Sequence, residues 1–106
     1  MKDCIFCKIV KKQISSEVET ETPQIIVIKD IHPKAPVHLL IIPKKHIDAI
    51  ADVDDKVWIE IKNVGLELAR QNKLKGFRLV HNSGDAAAVP HMHVHFLGEV
   101  SVDREV

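Results

Sequence analysis

Three histidines alternate with apolar residues in the segment His-Met-His-Val-His-Phe-Leu at residues 91–97. Successive side chains of a β-strand point to opposite faces, so this pattern predicts a strand with imidazoles on one face and apolar side chains on the other. Burying three imidazoles is costly unless they share a task, because each ring carries polar nitrogens that need partners. The alternative is a polar, solvent-facing surface, but such faces usually mix residue types. The pattern therefore predicts a functional site on the histidine face.

Other segments predict the elements that surround this strand. Residues 52–72 place apolar side chains at helical spacing after three aspartates, which predicts one long helix. The short turns between the predicted strands favour antiparallel pairing. The fold is therefore predicted to be an α+β domain spanning residues 1–106, with an antiparallel, roughly five-stranded sheet, one long helix and a short N-terminal helix. The strands are predicted at residues 18–22, 25–28, 37–42, 77–82 and 91–97, and the short helix within residues 4–12.

Charge and composition exclude several classes of partner. Fifteen Lys and Arg residues balance fifteen Asp and Glu residues, so a polyanion such as duplex nucleic acid is not an expected partner. No apolar run approaches the length of a membrane span, so no membrane association is expected. Two cysteines and the lack of an apolar leader predict a cytoplasmic protein with reduced thiols.

Two chemistries are compatible with the histidine face. Two histidines that are two residues apart on a strand can bind a catalytic metal together with a third histidine from a neighbouring strand. A neutral imidazole can instead attack phosphorus as a nucleophile while its neighbours orient the ring and stabilise charge. The spacing of the three histidines by itself does not choose between these chemistries.

The pattern His-φ-His-φ-His-φ-φ at residues 91–97, with φ an apolar residue, resembles the signature of the histidine triad family. Three further segments resemble that family's landmarks in the same order: Asp-Cys-Ile-Phe-Cys-Lys-Ile-Val at 3–10, Asp-Ile-His-Pro-Lys-Ala-Pro-Val-His at 30–38, and Ile-Pro-Lys-Lys-His-Ile at 42–47. The similarity is to the branch of nucleoside phosphoramidate and adenylate hydrolases, which are usually symmetric homodimers.

This resemblance implies a hydrolase that cleaves at the α-phosphate of purine nucleotide conjugates. The implied substrates are conjugates of a nucleotide such as AMP, in the form of phosphoramidates, acyl adenylates or dinucleoside polyphosphates. Catalysis would pass through a nucleotidyl group held covalently on a histidine, with no cofactor required for that step. The alternative is a nucleotide-binding member of the family with weak or lost catalysis.

The resemblance also implies a role for each matching residue. His93 would be the nucleophile, while His95 and His38 would bind the phosphate oxygens. Asp30 would bind the ribose hydroxyls, and Asn82 would contact sugar and phosphate, or else simply open a turn. The resemblance implies an apolar slot for the base, although each isoleucine taken alone is more typical of a plain core. The five residues of this slot are Ile5, Phe6, Ile9, Ile28 and Ile31.

The pair Cys4-x-x-Cys7 is a weak signal by itself, since a redox pair and two buried thiols both use this spacing. The redox alternative needs a preceding strand, and Cys4 lies too close to the start of the chain to have one. The resemblance implies a structural zinc bound by Cys4, Cys7, His46 and His91. Such a set of two thiolates and two imidazoles is closed and leaves no position for substrate.

Two features depart from the family pattern or add to it. The loop at residues 84–90 reads Gly-Asp-Ala-Ala-Ala-Val-Pro, with Ala88 where the family carries a leaving-group serine and Ala87 where it carries glutamine. Contact with the leaving group is therefore expected to be weak.

Trp58 and Leu66 flank the apolar stripe of the long helix, which is consistent with either core burial or a two-fold interface. His32 and His81 match no family position.

Overall fold

The computed structural model describes residues 4–105. Its five strands form one antiparallel sheet in the order β1-β2-β3-β5-β4. A short helix and a long helix accompany the sheet, so the predicted α+β fold is confirmed. The elements are α1 (Ile5–Val10), β1 (Val18–Glu21), β2 (Ile25–Lys29), β3 (Val37–Pro43), α2 (Asp55–Gln71), β4 (Phe77–His81) and β5 (Val94–Gly98), with single 3-10 turns at Ile50–Asp52 and Gly84–Ala86.

The long helix begins three residues later than the predicted range. Asp54 caps it by accepting a hydrogen bond from the backbone N–H of Lys56 at 2.7 Å, while Asp52 belongs to the preceding 3-10 turn. The three aspartates therefore have different positions: Asp52 ends the 3-10 turn, Asp54 is the N-cap, and Asp55 is the first residue of α2. The apolar stripe of α2 covers one face of the sheet, with Ile61 and Leu68 packed in the same core as Phe96.

Close packing of α2 on the sheet depends on Gly65. A Cβ atom built at this position would lie 3.1 Å from both terminal methyl carbons of Leu79 on β4. The missing side chain therefore lets the helix approach the last strand of the sheet.

The opposite face of the sheet carries α1. Phe6 and Ile9 pack against the even-numbered residues of β2 and β3, including Ile28 and Leu40. The central strands are thus covered on both faces, which explains why residues 25–28 form a continuous apolar run instead of an alternating one. None of the helices within residues 4–105 is long and apolar enough to cross a membrane.

The histidine strand β5 begins at Val94, and not at His91 as predicted. Val94 pairs with Ile41 on one side and with His81 on the other, and β4 ends there. On the β3 side, a continued register would place Pro43 opposite Met92, and proline has no backbone N–H to donate. The alternation of side chains nevertheless continues upstream, since Met92 packs in the α2 core while the ring of Phe6 on α1 contacts the rings of His91 and His93.

Candidate functional site

Two polar clusters lie on the α1 side of the sheet. The first brings together Cys4, Cys7, His46 and His91, whose ligand atoms all lie within 4.8 Å of one another. His91 Nδ1 lies 3.3 Å from the Sγ atom of Cys4 and 3.6 Å from that of Cys7, and His46 Nδ1 lies 3.3 Å from Cys7 Sγ. These four residues are the predicted zinc ligands, and the fold brings all of them together.

The second nitrogen of each imidazole in this cluster is bound to an oxygen. His91 Nε2 donates to the carbonyl of Pro43 at 2.8 Å, and His46 Nε2 donates to the carboxylate of Asp48 at 2.6 Å. Because these oxygens only accept, the ring protons sit on Nε2 and both Nδ1 lone pairs face the thiols. Metal-binding histidines are oriented in this manner, so the donor set fits a tetrahedral zinc ion.

The two thiols lie at the start of α1. Cys4 is the N-cap of this helix, and the backbone N–H of Cys7 is directed at its sulfur at 3.5 Å. Burial raises the pKa of the Cys7 thiol above its usual value, with a further contribution from its contact with Cys4. Metal binding at this site must therefore displace a proton from Cys7.

The second cluster joins β3 to β5 through a pair of histidines. The backbone N–H of Lys34 donates to His38 Nδ1 at 2.9 Å, so the proton of the neutral ring sits on Nε2. That Nε2 lies 2.9 Å from His95 Nδ1 and donates to it. His95 Nδ1 is therefore an acceptor, and the proton of its neutral ring sits on Nε2. The pair forms a directed chain of hydrogen bonds that ends in an N–H donor.

Asp30 stands beside the histidine pair. Its backbone N–H donates to the carbonyl of His38 at 3.0 Å, which holds the end of β2 against β3. One carboxylate oxygen accepts from the backbone N–H of His32, and the other lies 3.4 Å from His38 Nε2. One oxygen thus stabilises the loop while the other faces the site.

His93 lies between the two clusters. Its Nδ1 donates to the carbonyl of His91 at 2.8 Å, which leaves the lone pair on Nε2. Its ring centroid lies 5.2 Å from that of His95 and 5.0 Å from that of Phe6. Burial lowers the pKa of His93, and it lowers the pKa values of His38 and His95 as well. All three imidazoles are therefore biased toward the neutral form at neutral pH.

These contacts argue against a catalytic metal held by the three histidines. Within residues 4–105, no group of possible ligands contains His91, His93 and His95 together, because His91 faces the thiols. Asp30, His38 and His95 do approach one another closely enough for a metal. However, the amide proton at His38 Nδ1 places the ring proton on Nε2, the nitrogen that a metal would need.

The residues predicted to contact the nucleotide occupy different environments. Phe6, Ile9 and Ile28 are buried in the cluster beneath α1, whereas Ile5 is exposed and Ile31 is 85% exposed. Asn82 is half-buried directly after β4, and Ala88 is exposed in the loop that leads to His91. Their contacts with a nucleotide stay predictions.

Sequence reasoning missed three contributors to these clusters. Asp48 orients His46 and stands two residues after it, so the spacing His-x-Asp was an available signal. The backbone of Lys34 sets the tautomer of His38, and no side-chain pattern reveals such a contact. His81, to which no role was given, contacts the backbone of His93.

Comparison with known proteins agrees with this geometry. The family model described as "Scavenger mRNA decapping enzyme C-term binding" matches residues 3–104. A HIT family hydrolase from Clostridium thermocellum is 38% identical, with a TM-score of 0.90, and the match covers 100% of this chain and 98% of that one.

Two further relatives bear on the two clusters. A Zn-bound histidine triad family protein from Mycobacterium smegmatis is 28% identical, with a TM-score of 0.86, over 96% of this chain and 78% of that one. Adenosine 5'-monophosphoramidase HNT1 of Saccharomyces cerevisiae is 38% identical over 88% of this chain and 59% of its own length. With His91, His93 and His95 on the same side of a five-stranded sheet and matches that run nearly from end to end, the chain belongs to the histidine triad family.

Proposed function

We propose that this protein hydrolyses purine nucleotide conjugates at the α-phosphate, with His93 as the nucleophile. The observation that carries the proposal is the hydrogen bond from His93 Nδ1 to the carbonyl of His91, because it leaves a lone pair on Nε2 of a ring whose pKa is lowered by burial. A neutral imidazole with a free lone pair is the form that attacks phosphorus.

The reaction proceeds in two displacements. His93 Nε2 attacks the α-phosphorus, an N–P bond forms, and the bond to the leaving group breaks with its electron pair on the departing atom, which takes a proton from solvent. The imidazole becomes positively charged in this step, and the carbonyl of His91 stabilises the proton that remains on Nδ1. Water then attacks the phosphorus, a P–O bond forms, and the N–P bond breaks with its electron pair on Nε2. The water loses a proton to solvent, the nucleotide is released, and the ring is again neutral.

The histidine pair acts on the phosphate oxygens in this scheme. The chain from the Lys34 amide through His38 to His95 leaves an N–H donor on His95 Nε2. His95 stands beside His93, so this donor serves the charge that develops on the transferring group. Because the donors are already oriented, no reorganisation is needed when the charge forms.

The remaining contacts define the nucleotide. The carboxylate oxygen of Asp30 that faces the site accepts hydrogen bonds from the ribose hydroxyls. Asn82 contacts sugar and phosphate, and the apolar surface around Phe6 receives the base. The exposed Ile5 and Ile31 extend that apolar surface from the buried Ile9 and Ile28. A purine monophosphoramidate is the favoured substrate class, since the similar yeast protein is described as an adenosine 5'-monophosphoramidase.

Zinc at the first cluster is part of the proposal as a structural ion. Cys4, Cys7, His46 and His91 would hold it, and four protein ligands leave no open position for substrate. The bound ion supplies cross-linking, because it ties the start of α1 to the segments that lead into α2 and β5. Through His91 it also steadies the residue whose carbonyl accepts from His93.

A symmetric homodimer is proposed as the working form. Trp58 and Ile59 on α2 and Leu79 on β4 are large apolar side chains that stay exposed. Within the described sheet, β4 pairs with β5 alone and has a free edge. An exposed apolar patch beside an open strand edge is typical of a protein–protein interface, and a self-complementary patch closes into a dimer.

The test is single-turnover incubation of the purified protein with an adenosine 5'-phosphoramidate. We expect release of AMP and a transient adenylyl adduct on His93. His93→Ala should reduce turnover at least about a thousandfold and abolish the adduct while AMP binding changes little, since the ring acts mainly in the reaction. His32→Ala is the matched control, because His32 is an exposed histidine of the Asp30 loop.

Two outcomes would contradict the assignment. Turnover that survives His93→Ala, or an adduct on another residue, would reject His93 as the nucleophile. Binding of AMP by the wild type without any release from the phosphoramidate would favour the alternative, a nucleotide-binding protein with weak or lost catalysis.

A further inference from the structure

His81 is a histidine that the proposed reaction does not use. It is the last residue of β4, and its partner in the sheet register is Val94. The side chain is half-buried on the α2 side of the sheet, where it borders a cavity of about 220 Å³ with Trp58, Ile59 and Leu79 among its walls. These surroundings are mainly apolar and would suit an apolar side chain. The presence of a polar imidazole at this position therefore needs an explanation.

One nitrogen of this ring supports the nucleophile's backbone. His81 Nδ1 donates to the carbonyl of His93 at 3.0 Å, and a carbonyl only accepts, so the proton sits on Nδ1. The paired register of β4 with β5 ends at Val94, one residue short of His93. The imidazole therefore takes the place of the backbone donor that a longer β4 would provide.

The second ring nitrogen, Nε2, makes no hydrogen bond to any residue that the structure describes. Nε2 of His81 is buried and has no hydrogen-bond partner among residues 4–105. Leaving a buried polar atom unpaired is unfavourable. The ring therefore carries a cost that valine or leucine would avoid, and the bond from Nδ1 to His93 is the compensating contact that the structure shows.

The consequence for His93 follows from two nearby peptide planes, the His91–Met92 plane one residue before it and the His93–Val94 plane directly after it. The carbonyl of His91, which accepts from the His93 ring, shares its plane with the N–H of Met92, and this N–H donates to Ile47 at 2.6 Å. The plane after His93 carries the carbonyl held by His81. Hydrogen bonds thus hold the backbone on both sides of His93, at the His91–Met92 peptide and at the His93 carbonyl. They therefore also fix the direction of the His93 side chain.

We propose that His81 is a positioning residue for His93, whose Nδ1–H fixes the peptide plane after the nucleophile and so holds Nε2 of His93 in line with the α-phosphorus. This inference rests on the proposed function for its effect on rate. The effect of His81 on the orientation of the His93 ring does not depend on the proposed function, because it can be measured in the ligand-free protein.

Three variants separate the two nitrogens of His81. His81→Asn keeps an N–H donor near the position of Nδ1, His81→Gln moves the amide toward the position of Nε2, and His81→Leu removes both while keeping a similar volume. We expect kcat for an adenosine 5'-phosphoramidate to fall about tenfold in the Leu and Gln variants and to stay within about twofold of wild type in the Asn variant. The Kd for AMP should stay within about twofold of wild type in all three.

A second readout does not need turnover. In ¹⁵N NMR spectra of the ligand-free protein, the His93 ring should be a single tautomer with its proton on Nδ1 in wild type and His81→Asn, and a mixture in His81→Gln. The Asn and Gln variants are both polar, so this comparison holds even where His81→Leu folds poorly.

The outcomes that overturn the inference are separate from those that overturn the proposed function. A wild type that releases no AMP rejects the proposed function, and the NMR comparison still decides the role of His81. Wild-type kcat in His81→Gln, an equal loss in the Asn and Gln variants, or an unchanged His93 tautomer in His81→Gln would each show that His81 does not position the nucleophile.

Discussion

Backbone carbonyls decide which nitrogen of His91 and which nitrogen of His93 is available. The Nε2–H of His91 and the Nδ1–H of His93 each donate to a carbonyl oxygen, so the two rings offer opposite nitrogens to their surroundings. His91 presents Nδ1 to the thiols, and His93 is left with Nε2 free. Residues of one type, two positions apart, therefore acquire different chemistry from the acceptor that each ring reaches.

A pH dependence of stability follows from the buried pair His38 and His95. Burial lowers the pKa values of both imidazoles in the folded chain, whereas a histidine in an unfolded chain titrates near about 6.5. As the pH falls below about 6.5, the unfolded chain binds protons that the folded chain does not bind, so the free energy of unfolding decreases. Stability should be highest above that pH and should fall as the pH drops toward the lower folded pKa values.

Urea unfolding between about pH 7.5 and pH 5.5 measures this effect. Each such histidine contributes a slope of at most about 1.4 kcal/mol per pH unit. His38→Asn should give a shallower slope than wild type, and because it keeps the Cys/His cluster, any acid loss of metal is common to both proteins. Stability that stays level or rises as the pH falls would contradict the expectation.

At the scale of elements, the structural zinc proposed for Cys4, Cys7, His46 and His91 would anchor α1. This helix has six residues, fewer than an isolated helix needs in water, so its stability depends on tertiary contacts. Phe6 and Ile9 provide apolar contacts with the sheet, and the Cys4–Cys7 pair faces His46 and His91.

Zinc content and stability test this anchoring. The purified protein should contain about one zinc per chain, and Cys7→Ser should lose it. The free energy of unfolding should then fall by about 4 kcal/mol, the scale of binding at a thousandfold excess over Kd. Lys11→Ser, at the exposed end of the same helix, should keep both zinc and stability. Wild type that is equally stable with and without metal would contradict the prediction.

The loop before the histidine segment is the second element with a testable consequence. Residues 84–90 contain no side-chain hydroxyl or amide, and Ala88 stands where the family carries a serine. A hydroxyl that donates to the leaving atom contributes about 1 to 3 kcal/mol in the transition state, which is roughly tenfold to a hundredfold in rate. The loss is greatest for basic leaving groups, because they gain the most charge.

We therefore expect slow turnover of alkylamine conjugates and faster turnover of mixed anhydrides or aryl phosphoramidates. Ala88→Ser should raise kcat/KM roughly tenfold to a hundredfold for alkylamine conjugates and less for good leaving groups. Ala86→Ser, another exposed alanine of the loop, is the control and should change neither. Equal rates for good and poor leaving groups, unaltered by Ala88→Ser, would show that the missing hydroxyl does not limit the reaction.

At the scale of the whole molecule, the two faces and one edge of the sheet have different surroundings. One face packs against α2, and the other carries α1 and both polar clusters. The edge formed by β4 lies beside Trp58, which is 41% exposed. His81 ends this same strand and holds the carbonyl of His93, so the edge strand connects the proposed interface to the nucleophile.

The proposed homodimer has a direct test in solution mass. Wild type should sediment as a dimer at micromolar concentration, and Trp58→Glu or Leu79→Glu should shift it to monomer by placing a charge in the apolar patch. Val102→Glu is the matched control, because Val102 is an exposed apolar residue outside the patch. Trp58 is the single tryptophan, so its emission should also shift to the red on dilution. A monomeric wild type would reject the dimer.

The sequence alone was enough to predict the helices and strands and to predict which side chains share a face of each. Apolar spacing predicted α2, and alternation predicted that His91 and His93 share a side of their segment, because both follow from local backbone geometry. The family motif carried the four cysteine and histidine positions that the fold assembles. The predicted boundaries differed from the structure where neighbouring strands end, as at His91, since a ladder needs partners that local sequence does not specify.

Only the tertiary structure decided how each histidine is used. The bond between His38 and His95 joins residues 57 positions apart, and its direction depends on the backbone N–H of Lys34. The contact of His81 with the carbonyl of His93 likewise needs the pairing of β4 with β5. A ring's tautomer is set by the donor or acceptor that packing brings to it, and backbone groups are the same in every residue, so a sequence pattern cannot specify which of them each histidine meets.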